Sequence, residues 1–344
     1  MPGALPDGEP VPAAGTLPGS ALTGLGERPF GIYVHVPFCT TRCGYCDFNT
    51  YTAAELGGSA GTAAVSLDSY PDLAIAEIRF ARSVLGGAEV PVRTVFFGGG
   101  TPTLLPPAAF GRILRAIDAE FGLAPGAEVT TEANPESVTQ ATLSELRDQG
   151  VNRVSFGMQS VVPSVLAVLD RVHQPGRPAR CAAWAHAAGF DHVSLDLIYG
   201  TPGETEEDWR RSVAAAIAAG PDHLSAYALT VEAGTRLVHP VQDREHAGHH
   251  ALHSERNPVH ALVPQLAQRG LGDAFRVGFG RHFGPWGQAE LRVNGPQDAT
   301  ERGRGKQGRG PAAEEHGAHR DLGAAQHGAG EPDLGDGQVR IAVQ

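Results

Sequence analysis

Lysine is almost absent from this chain: Lys306 is the only one among 27 cationic residues, and 38 acidic residues leave a formal net charge of -11. Such a chain lacks the basic surface that neutralises phosphates, which excludes an electrostatic nucleic-acid binder. Long apolar runs are missing too, none approaching the roughly 18 residues a spanning helix needs. Met1-Pro-Gly-Ala opens without the basic start and apolar stretch of a secretory signal. The expectation is a cytoplasmic protein with no transmembrane segment. Cysteine is scarce, at four in 344 residues, too few for a disulfide framework. Glycine (45) and proline (26) are instead abundant, making up about a fifth of the chain where roughly 12% is usual.

At roughly 150 residues per domain the length suggests two domains, but the pattern along the chain supports one. Residues 1–28 are rich in Pro, Gly and Ala with neither apolar period, as expected of a disordered leader. From there short β-branched or aromatic runs alternate with longer helical patterns. Strands are predicted at 31–36, 92–97, 128–132, 153–156, 192–198 and 223–227. Helices are predicted at 69–85, 107–121, 139–149, 163–170, 177–188 and 204–219. Such alternation predicts an α/β fold with right-handed βαβ units, a parallel sheet and ligands at the carboxyl ends of its strands.

Residues 29–235 form this core, and residues 236–344 differ from it. The latter hold no Tyr, Cys or Met, one Ile and one Ser, but 10 of the 15 His and 18 Gly. The composition predicts a low-complexity, disordered tail with at most a short helix at 259–271. The tail carries 13 cations and 13 acids, so the whole net charge belongs to residues 1–235, with 14 against 25.

Three of the four cysteines, Cys39, Cys43 and Cys46, form C-x3-C-x2-C directly after the first strand. Thiolates this close suit one metal centre. Structural zinc needs four closed protein ligands, and the core offers no second Cys or Cys/His pair. An iron–sulfur cluster also needs four, so three thiolates leave one iron for a small molecule. The fourth cysteine, Cys181, lies at helical spacing with Trp184 and Ala188 and reads as a small buried hydrophobe.

With Tyr45 before the last cysteine, the cluster resembles the signature of the radical S-adenosylmethionine (SAM) superfamily. YVHVPFCTTRCGYCDF, FFGGGTPTLL, TTEANPES, VSFGMQS, LDRVH and SLDLIYGTPGE occur in the order seen in its oxygen-independent coproporphyrinogen III oxidase family and that family's heme-chaperone branch. The resemblance covers about residues 30–235. It implies a partial (β/α)6 TIM-like barrel and a [4Fe-4S] cluster on Cys39, Cys43 and Cys46. It also implies SAM chelating the fourth iron and an electron that splits the sulfonium to methionine and a 5'-deoxyadenosyl radical.

By the same resemblance Gly99, Gly100 and Thr101 receive the SAM amino group, and Glu132, Gln159, Arg171 and Asp196 contact SAM. Arg171 suits its carboxylate, through paired charge-assisted bonds. Tyr33 is near SAM in the family, with plain core packing the alternative; Asp196 could instead orient a turn, and the role of His35 stays open.

Family oxidases usually carry a further Cys two residues after the third; here that position is Phe48. This form resembles the chaperone branch, which implies heme as cofactor or cargo, heme-acceptor proteins and a reductant protein as partners. The alternatives are the oxidase, which decarboxylates a porphyrin precursor, and an inactive product. Family members continue past residue 235 into an aromatic-rich domain, whereas this tail has the composition of a shifted reading frame, with a break expected near 236–245.

Overall fold

The computed structural model describes residues 17, 19–27, 29–57, 66–232 and 234–238, and the backbone of three further strands within 276–280, 290–294 and 339–343. The predicted 1–28 leader falls largely outside the described residues, as do the predicted 259–271 helix and, apart from those three strands and residues 236–238, the tail. The described chain runs β1 (Phe30–Val36), β2 (Phe38–Cys39), β3 (Tyr51–Thr52), α1 (Ala53–Gly57), α2 (Tyr70–Val84), β4 (Val92–Gly99), α3 (Pro107–Phe121), β5 (Leu123–Ala133), α4 (Gln140–Asp148) and β6 (Arg153–Gln159). It continues through α5 (Pro163–Val168), α6 (Arg177–Ala187), β7 (His192–Tyr199), α7 (Glu206–Ala218) and β8 (His223–Ala228), then β9 (Arg276–Gly280), β10 (Glu290–Asn294) and β11 (Val339–Val343). Among the described residues, no helix is long and apolar enough to cross a membrane.

The six predicted core strands lie in one sheet ordered β11-β1-β4-β5-β6-β7-β8, with every neighbouring pair parallel. Helices alternate with them, giving the partial (β/α)6 barrel. Two details depart from the sequence reading. Strand β5 starts at Leu123 rather than Glu128, with Gly126 at φ +72° inside it. Strands also occur in the tail, where composition placed none: β9 and β10 pair antiparallel, and β11 adds to the outer edge of β1, from Phe30↔Val339 to Val34↔Val343. Local β-branched and aromatic runs such as VRIAV decide this against the surrounding composition.

Successive side chains on a strand point to opposite faces, and the alternation is clearest on β1 and β6. Ile32, Val34, Val95, Phe97, Val154, Phe156, Val193, Leu195 and Leu224 are all buried in one apolar core. The residues between them are mostly polar or small: Tyr33, His35, Gly98, Glu132, Ser155, Gly157, Gln159, Asp196 and Ser225. The helices close the apolar side, each by ordinary means. Helix α7, for example, begins with a capping box in which Thr205 and Asp208 satisfy each other's backbone N–H groups. It seats the fully buried Trp209 ring 5.3 Å from that of Tyr199. The polar face is left to build a site.

Candidate functional site

The loop carrying the three thiols is tied at both ends. Strands β2 and β3 pair Phe38 with Tyr51 and Cys39 with Thr52, and the Tyr51 N–H donates to the Pro37 carbonyl at 2.7 Å. His35 adds a third tie, its Nε2 lying 2.8 Å from the Asn49 carbonyl. Because a carbonyl only accepts, Nε2 carries the proton and Nδ1 accepts from the Tyr33 hydroxyl at 3.0 Å. Halfway along the loop, Gly44 packs so closely that a Cβ there would sit 2.8 Å from the Asp170 carboxylate. Its carbonyl accepts from the Leu237 N–H at 2.9 Å, while Arg236 pairs with Asp170 at 3.1 Å. The core therefore extends past residue 235, through the buried Leu237.

Each thiol faces its own donor. Arg171 Nη1 lies 3.5 Å from the Cys43 sulfur, the Thr101 hydroxyl 3.9 Å from Cys39, and the Thr50 hydroxyl 3.9 Å from Cys46. Burial pushes the Cys39 and Cys46 thiols up. At Cys39 the Thr101 hydroxyl opposes this and the neighbouring thiols add to it; at Cys46 the Phe48 N–H and the Thr50 hydroxyl oppose it. Among the described residues no three His, Cys, Asp or Glu side chains converge to hold a single metal ion. Beside the thiols opens a cavity of about 590 Å³, lined by Arg42, Cys43, Cys46, Glu55, Thr235 and Arg236 among others. Cys181 is elsewhere, fully buried, its sulfur facing the Pro135 carbonyl. Burial pushes its thiol up to about 11, so the reading as a small hydrophobe stands.

The glycine loop after β4 is pressed against this loop. A Cβ on Gly100 would lie 2.5 Å from the Phe38 carbonyl oxygen, and one on Gly99 2.6 Å from the His35 ring. Gly99 also has φ +107°, open only to glycine at low cost. Thr101 hands its N–H to Phe38 at 2.7 Å and its hydroxyl accepts from Asn134 Nδ2 at 2.9 Å. Asn134 Oδ1 in turn accepts from Arg171 Nη2 at 2.7 Å. Asn134, at the end of β5, therefore joins the glycine loop to Arg171. Its motif was visible in the sequence but its role was not.

Glu132 points into the same space, accepting from the Gly99 N–H at 3.2 Å. Burial and then the Asp196 carboxylate push its carboxyl up to about 8. Asp196 is also raised by burial, against the Ser155 and Ser225 hydroxyls that favour its charge, the former at 2.8 Å. Gln159 ends β6 beyond a slip in the ladder at Met158, with φ +60°, an uncommon value for a residue other than glycine. Its Oε1 is buried without a hydrogen-bond partner, as is Arg171 Nε. Backbone strain beside orphaned polar atoms is characteristic of ligand clamps. The structure thus brings Tyr33, Gly99, Gly100, Thr101, Glu132, Gln159, Arg171 and Asp196 to the polar face of one sheet. Sequence reasoning missed Thr50, Asn134 and the Arg236–Leu237 clamp.

The raised carboxyl makes a stability prediction. With its folded value above its unfolded one, Glu132 favours the fold in its neutral form. That contribution is fully present below the ordinary carboxylate range and is lost as pH rises through about 8. Glu132→Gln is expected to flatten the pH dependence of unfolding of the ligand-free protein over that window and to raise its stability at pH 8 by about 4 kcal/mol. Denaturant midpoints at pH 5 and pH 8 check this, and parallel slopes for variant and wild type would refute it.

Comparison with known proteins agrees with this geometry. The model of the radical SAM superfamily matches residues 33–216. The chain is 54% identical over 229 residues to a heme chaperone HemW of Mycobacterium tuberculosis (strain ATCC 25618 / H37Rv), covering 67% of this chain and 56% of that protein. It is 36% identical over 207 residues to the heme chaperone HemW of Escherichia coli K12, covering 60% and 52%. The chain spans about half the length of the curated relatives it matches. Among solved structures, the coproporphyrinogen III oxidase HemN of Escherichia coli, a radical SAM enzyme, superposes with TM-score 0.64 at 24% identity over 81% of this chain and 58% of that one, a likeness of fold.

Proposed function

Because the chain belongs to the radical SAM superfamily, we propose that its barrel holds a [4Fe-4S] cluster on Cys39, Cys43 and Cys46 with SAM beside it, in a heme chaperone that binds heme and passes it to acceptor proteins. The donor set fits the cluster: three neighbouring thiols, each facing a hydrogen-bond donor, on a loop tied at both ends. The surroundings fit SAM, with a glycine cradle that any Cβ would fill and unpartnered polar atoms on Gln159 and Arg171. When bound, such a cluster supplies the single electron that cleaves a sulfonium.

The residues of this chain bind and orient. Glu132 and the glycine loop present acceptors to an ammonium, which would draw the Glu132 proton off and leave a charge pair. Arg171 spends three of its five N–H bonds on Cys43, Asn134 and Gly157, and its Nε is buried without a partner, so Nε is a donor it holds for a carboxylate, with both Nη2 protons already engaged. Asp196, held by Ser155, and Gln159 face the remaining polar part of the ligand. A reductant protein must deliver the electron from outside, and the half-exposed loop offers it a short path.

The observation that carries the chaperone reading over the oxidase is Phe48, where oxidases of the family usually have a further cysteine; its ring is 58% exposed beside the cluster loop. The similarity to curated heme chaperones supports the same choice. After anaerobic reconstitution the protein is expected to bind heme at one equivalent per chain and to leave coproporphyrinogen III unchanged in the presence of SAM and reductant. Decarboxylation without heme binding would establish the oxidase.

A second reading concerns residues 236–344. Their composition, together with the half-length match to the relatives, favours translation in a shifted frame and an inactive product. Translating the gene in its other two frames tests this: an aromatic-rich continuation similar to the relatives supports it, and its absence in both frames refutes it.

A further inference from the structure

The segment between the last cysteine and β3 contains one residue that does not belong on a surface. Asp47, Phe48, Asn49 and Tyr51 are exposed, whereas Thr50 is 1% exposed. Its backbone is fully used: the N–H donates to the Phe48 carbonyl at 2.8 Å, and its own carbonyl accepts from Arg42. Among the described residues its hydroxyl bonds to no oxygen or nitrogen. It lies 3.9 Å from the Cys46 sulfur, on the loop that carries the three thiols. A buried hydroxyl is costly unless bonded, and the Cys46 sulfur is its partner.

Between a thiol and a hydroxyl either atom can donate. A thiolate bound to iron has no proton, so the hydroxyl then has to be the donor. Resting on the cluster reading above, we propose that Thr50 is a positioning residue whose hydroxyl donates to the Cys46 thiolate and so raises the reduction potential of the cluster. The physical reason is charge. Reduction adds a negative charge to the cluster, part of it on the sulfurs, and a donor held there stabilises the reduced form more than the oxidised one. Thr101 supplies a second donor to Cys39, with its orientation fixed by Asn134, and Arg171 a third to Cys43. Both of those also serve the SAM face. The hydrogen bonds of Thr50 run to Phe48, Arg42 and Cys46 and to none of the SAM residues, which makes it the donor that can be changed without removing a SAM contact.

The test uses the full chain, reconstituted anaerobically, as wild type, Thr50→Val and Thr50→Ser. Valine replaces the hydroxyl with a methyl of similar size, and serine keeps it. Iron and sulfide content reports loading, and the reduced-cluster EPR signal recorded at a series of poised potentials reports the midpoint. The valine protein is expected to load a cluster whose reduction equilibrium is about tenfold less favourable, a shift of about 59 mV to more negative potential for one electron, while serine restores the wild-type value. A loaded valine protein with the wild-type midpoint overturns the inference and leaves the cluster reading intact. A wild-type protein that takes up no iron and sulfide overturns both. Should the valine protein fail to load, Thr50→Ala against Thr50→Ser makes the same comparison; failure of both Val and Ala with rescue by Ser supports the hydroxyl's role as a ligand-loop donor, and failure of Ser as well overturns it.

Discussion

Replacing any one of Cys39, Cys43 or Cys46 by alanine is expected to abolish the visible charge-transfer absorbance of the anaerobically reconstituted protein, whereas Cys181→Ala leaves it in place. The contrast follows from what each sulfur touches. The three loop thiols stand side by side, each supported by a donor, and a cluster held by only three protein ligands has none to spare. The only other cysteine among the described residues, Cys181, is no substitute. Cys181 is fully buried with its sulfur against the Pro135 carbonyl, so its loss removes a small buried volume at a cost of about 1 kcal/mol and no ligand. Iron and sulfide analysis beside the absorbance spectrum checks both halves. An unchanged spectrum in any single loop variant would show that the thiols are not the ligands, and loss of the band in the Cys181 variant would place a ligand in the core.

The same comparison shows what kind of information the sequence carried. The cysteine spacing, the glycine run and the apolar periodicities are local, and the structure bears out the elements they imply, including the helix predicted at 107–121, found as Pro107–Phe121. What could not be read depends on residues far apart in the chain. Asn134 reaches Thr101 across 33 residues and Arg171 across 37, and only the parallel order of β4, β5 and β6 puts them together. Arg236 and Leu237 clamp a loop nearly two hundred residues earlier, and nothing in their own neighbourhood announces it. Thr50 is a polar residue in a polar stretch, distinguished only by its burial. Composition over long windows also misled in one respect: β11 pairs with the edge of β1 although the tail around it is rich in Gly and His. Short-range β propensity survives within a window whose average argues against it.

The second large effect concerns Arg171. Its guanidinium is ionised at any accessible pH and is held by three acceptors from three places: the Cys43 sulfur, Asn134 Oδ1 and the Gly157 carbonyl. A cation so fixed, with Nε still unpartnered, is preorganised for an anion and loses little entropy on binding one. Arg171→Met is expected to weaken SAM binding to the cluster-loaded protein by about 100-fold, since a hydrogen bond to a charged group contributes about 1.5–3 kcal/mol and the ligand carboxylate would also lose its counter-charge. Arg171→Lys should recover only part of this, because an ammonium cannot reach Cys43, Asn134 and Gly157 together and still present a donor outward. Loss of affinity alone would not distinguish a carboxylate contact from a disturbed loop. Decarboxylated SAM makes that distinction: wild type should bind it about as weakly as the methionine variant binds SAM, and the variant should bind both ligands alike. Equilibrium dialysis under anaerobic conditions measures all four affinities, with iron content confirming equal loading. If the variant loses affinity equally for both ligands relative to wild type, Arg171 acts by holding Cys43 and Asn134 in place, and the carboxylate must be met by another group on the polar face.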